Sequence, residues 1–130
     1  YRFDDFTDAE GNRFDNNRIP GIPRYQLFAS LDHQPSEKLS TLLSARWTGK
    51  RYADNANSAK ADSYVVVGIH ASYLTRLAGS QLNFYGGIDN VLDEEYDDNL
   101  RINAACGPFF EPAPERSFFL AISVTGRPGR

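Results

Sequence analysis

Apolar and polar residues alternate with period two along most of the chain, which is the pattern of β-strands with one apolar face. The first run covers residues 24–33, where only Phe28 departs from the alternation. Four further runs follow, over residues 39–52, 64–73, 81–90 and 116–125. No stretch combines helical periodicity with helix caps. The chain is therefore predicted to be all-β, with five strands and a candidate end of a sixth at residues 1–6.

The connections between these runs alternate strictly between short and long. Short turns are predicted at residues 35–38 and 77–80, whereas residues 7–23, 53–62 and 91–115 form long loops. Compact soluble domains keep most connections near about 4–6 residues. Outer-membrane barrels instead have short periplasmic turns on one rim and longer extracellular loops on the other. The pattern predicts antiparallel, up-and-down strands of a transmembrane β-barrel, with the chain's C-terminus on the short-turn, periplasmic side.

Five or six strands cannot close such a barrel, because barrels of this class have about eight strands or more. The segment would leave two unpaired strand edges, so further strands are expected from elsewhere in a longer chain. The absence of methionine from the 130 residues also predicts that the chain is a piece of a larger protein. The alternative is a soluble antiparallel β-sandwich or small-barrel binding module, which explains the strands but not the alternating connections.

Charge and hydropathy exclude other classes of protein. The chain has 14 basic and 17 acidic residues and a formal net charge of -3, with no basic stripe, so nucleic-acid binding is not expected. No apolar run approaches the roughly 20 residues of a membrane-spanning helix. No signal peptide is recognised at the N-terminus.

Candidate chemistry is sparse. The acidic residues at 93–95, 97 and 98 are candidate ligands for calcium. They lack the spacing of a calcium-binding loop, so a solvated acidic loop is favoured. His33 and His70 lie on different predicted strands without metal-ligand spacing. No catalytic motif is found, so no enzyme activity, metal or cofactor is expected. A carboxylate hydrolase using Asp89 or Asp93 is the last-ranked alternative.

Four segments together resemble TonB-dependent outer-membrane receptors. They are residues 18–24 (RIPGIPR) before a strand, residues 49–54 (GKRYAD) at a strand end, residues 88–96 (IDNVLDEEY) and residues 111–120 (EPAPERSFFL) leading into the last strand. Their order and spacing match the family over nearly the whole chain. The resemblance identifies residues 1–130 as a C-terminal piece of the receptor's β-barrel domain, without the plug domain.

The resemblance implies a barrel of about 22 strands with a plugged lumen in the bacterial outer membrane. Such a receptor binds a scarce nutrient, for example an iron-siderophore, and releases it inward when TonB acts on the plug. The partners it implies are outer-membrane lipid, the plug domain, the remaining barrel strands, TonB and a small iron chelate.

Several residues receive roles within this interpretation. Arg46, Lys50 and Arg51 are candidates to face an anionic ligand near the outer rim, and the alternative is that they are solvated lumen residues. Cys106 is either half of a loop disulfide to a cysteine outside this chain or a free thiol. Aromatic residues near strand ends are expected in the interfacial girdle, with core packing in a soluble sheet as the alternative. These are Tyr25, Trp47, Tyr64 and Tyr73.

Overall fold

A computed structural model describes residues 1–104 and 110–126. Their regular secondary structure consists of β-strands, which confirms the all-β prediction. The strands are β1 (Gln26–His33), β2 (Leu39–Thr48), β3 (Arg51–Tyr52), β4 (Lys60–Ala61), β5 (Tyr64–Leu77), β6 (Ser80–Asp89), β7 (Asp97–Leu100), β8 (Phe110–Pro112) and β9 (Ser117–Thr125). No helix in these ranges is long and apolar enough to cross a membrane.

The five longer strands form one sheet in the order β1-β2-β5-β6-β9. Each long strand therefore lies beside the next long strand of the sequence. The β5–β6 and β6–β9 pairs are antiparallel, and their registers place Tyr73 opposite Phe84 and Phe84 opposite Ile122. This arrangement confirms the predicted antiparallel, up-and-down strands of a partial barrel.

Both short connections are tight turns. Between β5 and β6, Ala78 and Gly79 have φ angles of 49° and 82°. Two successive residues with positive φ make the tight turn whose twist matches that of antiparallel strands. Between β1 and β2, the Ser36 hydroxyl accepts hydrogen bonds from the backbone N–H groups of Lys38 and Leu39, at 3.3 and 3.1 Å. The turns predicted at residues 35–38 and 77–80 are confirmed.

The long connections contain structure that the sequence pattern does not predict. Strands β3 and β4 pair within one loop, and β7 pairs with β8 across another. The run predicted at residues 39–52 thus divides into β2 and β3. The candidate end of a sixth strand at residues 1–6 is not among the strands of the sheet. These residues pair with residues 14–18, through a bridge between Arg2 and Arg18 and a hydrogen bond from Phe3 N to Asn17 O at 2.9 Å.

The chain divides into two compact units, which we name the loop unit and the strand unit. The loop unit comprises Tyr1–Leu27, Trp47–Val65 and Glu95–Pro114. The strand unit comprises Phe28–Arg46, Val66–Glu94 and the segment from Glu115 onward. The long connections thus make up most of one unit, and the middle parts of the long strands make up the other.

The loop unit contains the apolar core of the described residues. Ala53, Ala61 and Tyr64 are buried, with Tyr64 only 5% exposed. The Tyr64 ring stacks on Tyr96 with 4.2 Å between ring centroids. The prediction that Tyr64 belongs to an interfacial girdle is wrong, because the loops cover this ring and leave it no surface for a membrane interface.

The strand unit has most of its apolar residues on one exposed face of the sheet. Ladder positions Ile69, Ile88 and Phe118 share this face, and so do Tyr73, Phe84 and Ile122. The last strand is the most open part, with Leu120 76% and Phe118 71% exposed. We call this side the apolar face. The opposite side, which we call the polar face, carries His70, Ser72, Asn83, Asp89 and Ser123, together with the aromatic residues Tyr85 and Phe119.

Candidate ligand-facing surfaces

Side-chain amides join the long loops within the loop unit. Asn57 bonds to the backbone of Arg18 in both directions, because its Oδ1 accepts from Arg18 N at 2.7 Å and its Nδ2 donates to Arg18 O at 2.8 Å. Asn17 Nδ2 donates to Asn55 O at 2.8 Å. An amide can donate and accept at once, so a single asparagine satisfies two backbone groups of a neighbouring loop.

The third long loop is bound to the same network. Asn103 Oδ1 accepts from Asn55 N at 3.0 Å, and Asn103 N donates to Ala53 O at 2.9 Å. Gly21 N donates to Tyr52 O at 2.8 Å. The three long loops therefore form one connected surface before any ligand arrives, which reduces the ordering that binding would require.

Arg51 is buried within the loops and binds two of their backbone carbonyl groups. Its side chain is buried, and the residue is only 8% exposed. The guanidinium donates to the backbone carbonyls of Asp97 and Asp98, the second at 3.0 Å, and lies over the Tyr64 ring at 5.7 Å from its centroid. Arg51 therefore stabilises the loops and does not extend into solvent, where a ligand would meet it.

The other two cations singled out in the sequence are placed differently. Lys50 lies in the loop unit with an exposed side chain, and its Nζ is 3.5 Å from a carboxylate oxygen of Asp62. Arg46 lies in the strand unit and is partly buried. Strand alternation puts Arg46 on the same side of β2 as Ser44 and opposite Leu43 and Ala45. Lys50 therefore differs from Arg51 in having an exposed side chain within the same unit.

The polar face carries a histidine–carboxylate pair that was not predicted from the sequence. His70 Nε2 lies 2.9 Å from Asp89 Oδ1, and the side chains are 21% and 55% exposed. The His70 ring packs edge-on to Phe119, with 5.3 Å between ring centroids. Period-two alternation does place positions 70 and 89 on one face, but only the register of β5 and β6 brings the two side chains together.

The acidic segment after β6 has contacts of its own. Asn90, only 3% exposed, donates from Nδ2 to Glu94 O at 2.9 Å and accepts from Glu94 N at 3.0 Å. Asp93 accepts from the backbone N–H of Arg116 at 3.0 Å and lies 3.4 Å from its guanidinium. These contacts tie the segment to the start of the last strand.

The residues proposed for other chemistry have separate partners. Asp89 contacts His70, and Asp93 contacts Arg116, so each carboxylate considered for a hydrolase has its own side-chain partner. Across residues 1–104 and 110–126, no group of three or more His, Cys, Asp and Glu side chains is arranged to hold a metal ion. Cys106, the candidate half-disulfide, lies outside the described residues.

Comparison with known proteins points to one family. Residues 1–91 match the family model described as "TonB dependent receptor-like, beta-barrel". The fold is similar to the crystal structure of BauA, the ferric preacinetobactin receptor from Acinetobacter baumannii, with a TM-score of 0.70 and 18% sequence identity over 85% of this chain. The chain spans 16% of the length of BauA. On the family match, the chain belongs to the TonB-dependent receptor β-barrel family.

Proposed function

We propose that this chain is a C-terminal part of the barrel wall of a larger outer-membrane receptor, without its plug domain, and that the whole protein imports a scarce nutrient such as an iron-siderophore. TonB would supply the driving force through the plug. The family match and the fold shared with BauA, a ferric preacinetobactin receptor, support this proposal.

The single observation that carries the membrane part is the exposed apolar face. Large apolar side chains along one side of β9, namely Phe118, Leu120, Ile122 and Val124, are each at least 58% exposed. A contiguous apolar surface of this kind needs a covering partner, which in a barrel is the lipid. The soluble β-sandwich alternative loses support, because the described residues form only one large sheet and no second sheet covers this face.

The same proposal gives the polar residues a passive role. Arg46 and the His70–Asp89 pair would line the lumen, where they meet the plug or the passing solute. Lys50 would add positive charge at the outer surface, since its side chain is exposed in the loop unit. Arg51 would act indirectly, by holding the loops through the carbonyl groups of Asp97 and Asp98.

A cell-fractionation experiment tests the proposed function. An antibody raised against this segment is used on membrane fractions of the source cells, with and without boiling before a denaturing gel. We expect an outer-membrane band far heavier than 14.6 kDa that shifts on boiling, because folded barrels resist the detergent until heated. A soluble band near 14.6 kDa without a heat shift would overturn the proposal.

A further inference from the structure

A pocket of about 340 Å³ in the loop unit combines cationic and aromatic side chains. Arg18, Arg24 and Lys50 supply three positive charges, and Tyr25 and Trp47 supply two aromatic rings. None of the described residues that line the pocket is acidic. Lys50 Nζ lies 3.5 Å from a carboxylate oxygen of Asp62. The pocket therefore has a net positive charge beside an aromatic wall.

The aromatic wall is fixed by its backbone. Tyr25 and Trp47 stack with 6.1 Å between ring centroids and an interplanar angle of 18°. Gly49 N donates to Tyr25 O at 2.9 Å, and a Cβ added to Gly49 would come within 3.1 Å of the same oxygen. Glycine thus allows the two chain segments to approach closely. Tyr25 and Trp47 remain 52% and 41% exposed, so their rings are available to a ligand.

The Arg24 side chain lies against this wall. The Arg24 guanidinium carbon is 5.0 Å from the centroid of the Tyr25 ring, which is cation–π distance. A stacked guanidinium keeps its N–H groups in the plane of the fork, where they can bond two oxygens of a phosphate. Arg18 and Lys50 add positive charge around the same space.

The pocket opens beside apolar side chains that point the same way as its aromatic rings. Successive residues of extended chain alternate between faces, so Tyr25 and Leu27 share one side, and the same alternation places Trp47 on the side of Ala45. Within the loop unit, Leu27 is 61% and Val65 39% exposed. The surroundings of the pocket are therefore amphipathic, with positive charge next to exposed aromatic and aliphatic surface.

We propose that this pocket binds the phosphate head group of an anionic lipid, while the start of an acyl chain packs against Tyr25, Trp47 and Leu27. The inference rests on the proposed function, since it requires this side of the strands to lie against lipid. Aromatic rings sit at the level of lipid head groups, and neighbouring cations attract anionic lipid there. The pocket combines both features in one place.

The test uses the full-length receptor in nanodiscs and the fluorescence of Trp47. The Trp47 signal is taken as the difference between the unmodified receptor and its Trp47→Phe variant. It is measured with brominated phosphatidylglycerol or brominated phosphatidylcholine as a minor component of an unbrominated bilayer. We expect much stronger quenching by the anionic lipid, and a loss of about fivefold in this preference for each cation removed by Arg24→Gln or Lys50→Gln.

Two charge variants act as controls. Lys60→Gln removes an exposed cation of β4 that does not line the pocket, and it should leave the preference unchanged. Asp62→Asn removes the counter-charge of Lys50 and should raise the preference. Equal quenching by the two lipids, or a preference that survives the loss of both Arg24 and Lys50, would overturn the inference.

The outcomes separate this inference from the proposed function. If Trp47 is quenched equally by both brominated lipids, Trp47 faces the bilayer, so the proposed function stands and the lipid site fails. If neither lipid quenches Trp47, the placement of this face against lipid fails as well. If inorganic phosphate binds without lipid and with the same dependence on Arg24 and Lys50, a free anion is the ligand and the lipid proposal is overturned.

Discussion

His70 lies directly across Gly87 of the neighbouring strand, so that a Cβ added to Gly87 would come within 2.3 Å of His70 Cδ2 and 2.8 Å of Ile69 O. Glycine at position 87 therefore makes room for the imidazole, which reaches over it to Asp89. On the polar face, the space that Gly87 of β6 leaves open is therefore occupied by the His70 ring of β5.

Gly87→Ala should force His70 away from this place. Because the clash includes a backbone oxygen, the histidine cannot relieve all of it by rotating, and a loss of about 1–3 kcal/mol in the free energy of unfolding is expected. The urea midpoint of the refolded receptor measures this loss. Gly126→Ala is the matched control, since a Cβ there meets no atom within 4 Å. Equal midpoints for the two variants would contradict the account.

Arg51→Ala should loosen the loops. The substitution leaves the carbonyl groups of Asp97 and Asp98 without their cationic donor and removes a cation from the Tyr64 ring. Hydrogen bonds to a charged group contribute about 1.5–3 kcal/mol, so a loss of that order is expected locally. Hydrogen exchange of the β7 amides measures it. Lys50→Ala removes the adjacent exposed cation and should change exchange there by less than about 0.5 kcal/mol.

The β7–β8 loop should weaken at acidic pH. Hydrogen bonds from Arg101 and Asn99 lower the pKa of the Glu111 carboxyl below its ordinary value. A lowered folded-state pKa means that the stabilisation is complete above the unfolded-state pKa of about 4.3 and is lost as pH falls through the folded value. Proteolysis of this loop should therefore increase below that pH. Glu111→Gln should be equally sensitive at both ends of the range, and an unchanged acid response in this variant would refute the assignment.

Two neighbouring positions of β9 should respond unequally to the same charge. Ile122 lies on the apolar face and is 58% exposed, whereas Ser123 lies on the polar face opposite Asn83. An arginine on the lipid side of a barrel costs about 2–4 kcal/mol near the bilayer centre, whereas one in the lumen is tolerated. Ile122→Arg should lower the yield of heat-modifiable barrel far more than Ser123→Arg. Equal losses would argue against a lipid-facing side.

The strands were predictable because their pattern is local. Alternation along the sequence locates β2, β5, β6 and β9 to within a few residues, since every second position must suit the same environment. The pairing of β3 with β4 and of β7 with β8 was not predictable, because these strands are only two to four residues long and are too short to show a clear alternation. The partner of residues 1–6 was not predictable either, because they pair with residues 14–18 and not with a strand of the sheet.

The candidate site was predictable only in part, because its contacts join residues that are distant in the sequence. The sequence groups Arg46, Lys50 and Arg51 by proximity, but burial separates Arg51 from the exposed Lys50. The place of Arg51 depends on Asp97 and Asp98, which lie more than forty positions away. The His70–Asp89 pair likewise depends on strand register, which alternation alone does not give.

A cysteine scan of β9 tests the lipid-facing apolar side most directly. Single cysteines replace residues 117–124 in turn, in a full-length receptor whose Cys106 has been changed to serine, and each carries a spin label in a bilayer. We expect labels at 118, 120, 122 and 124 to collide mainly with lipid-soluble oxygen, and labels at the alternate positions to collide mainly with a water-soluble nickel chelate. Uniform access of the nickel chelate along the strand would contradict the account.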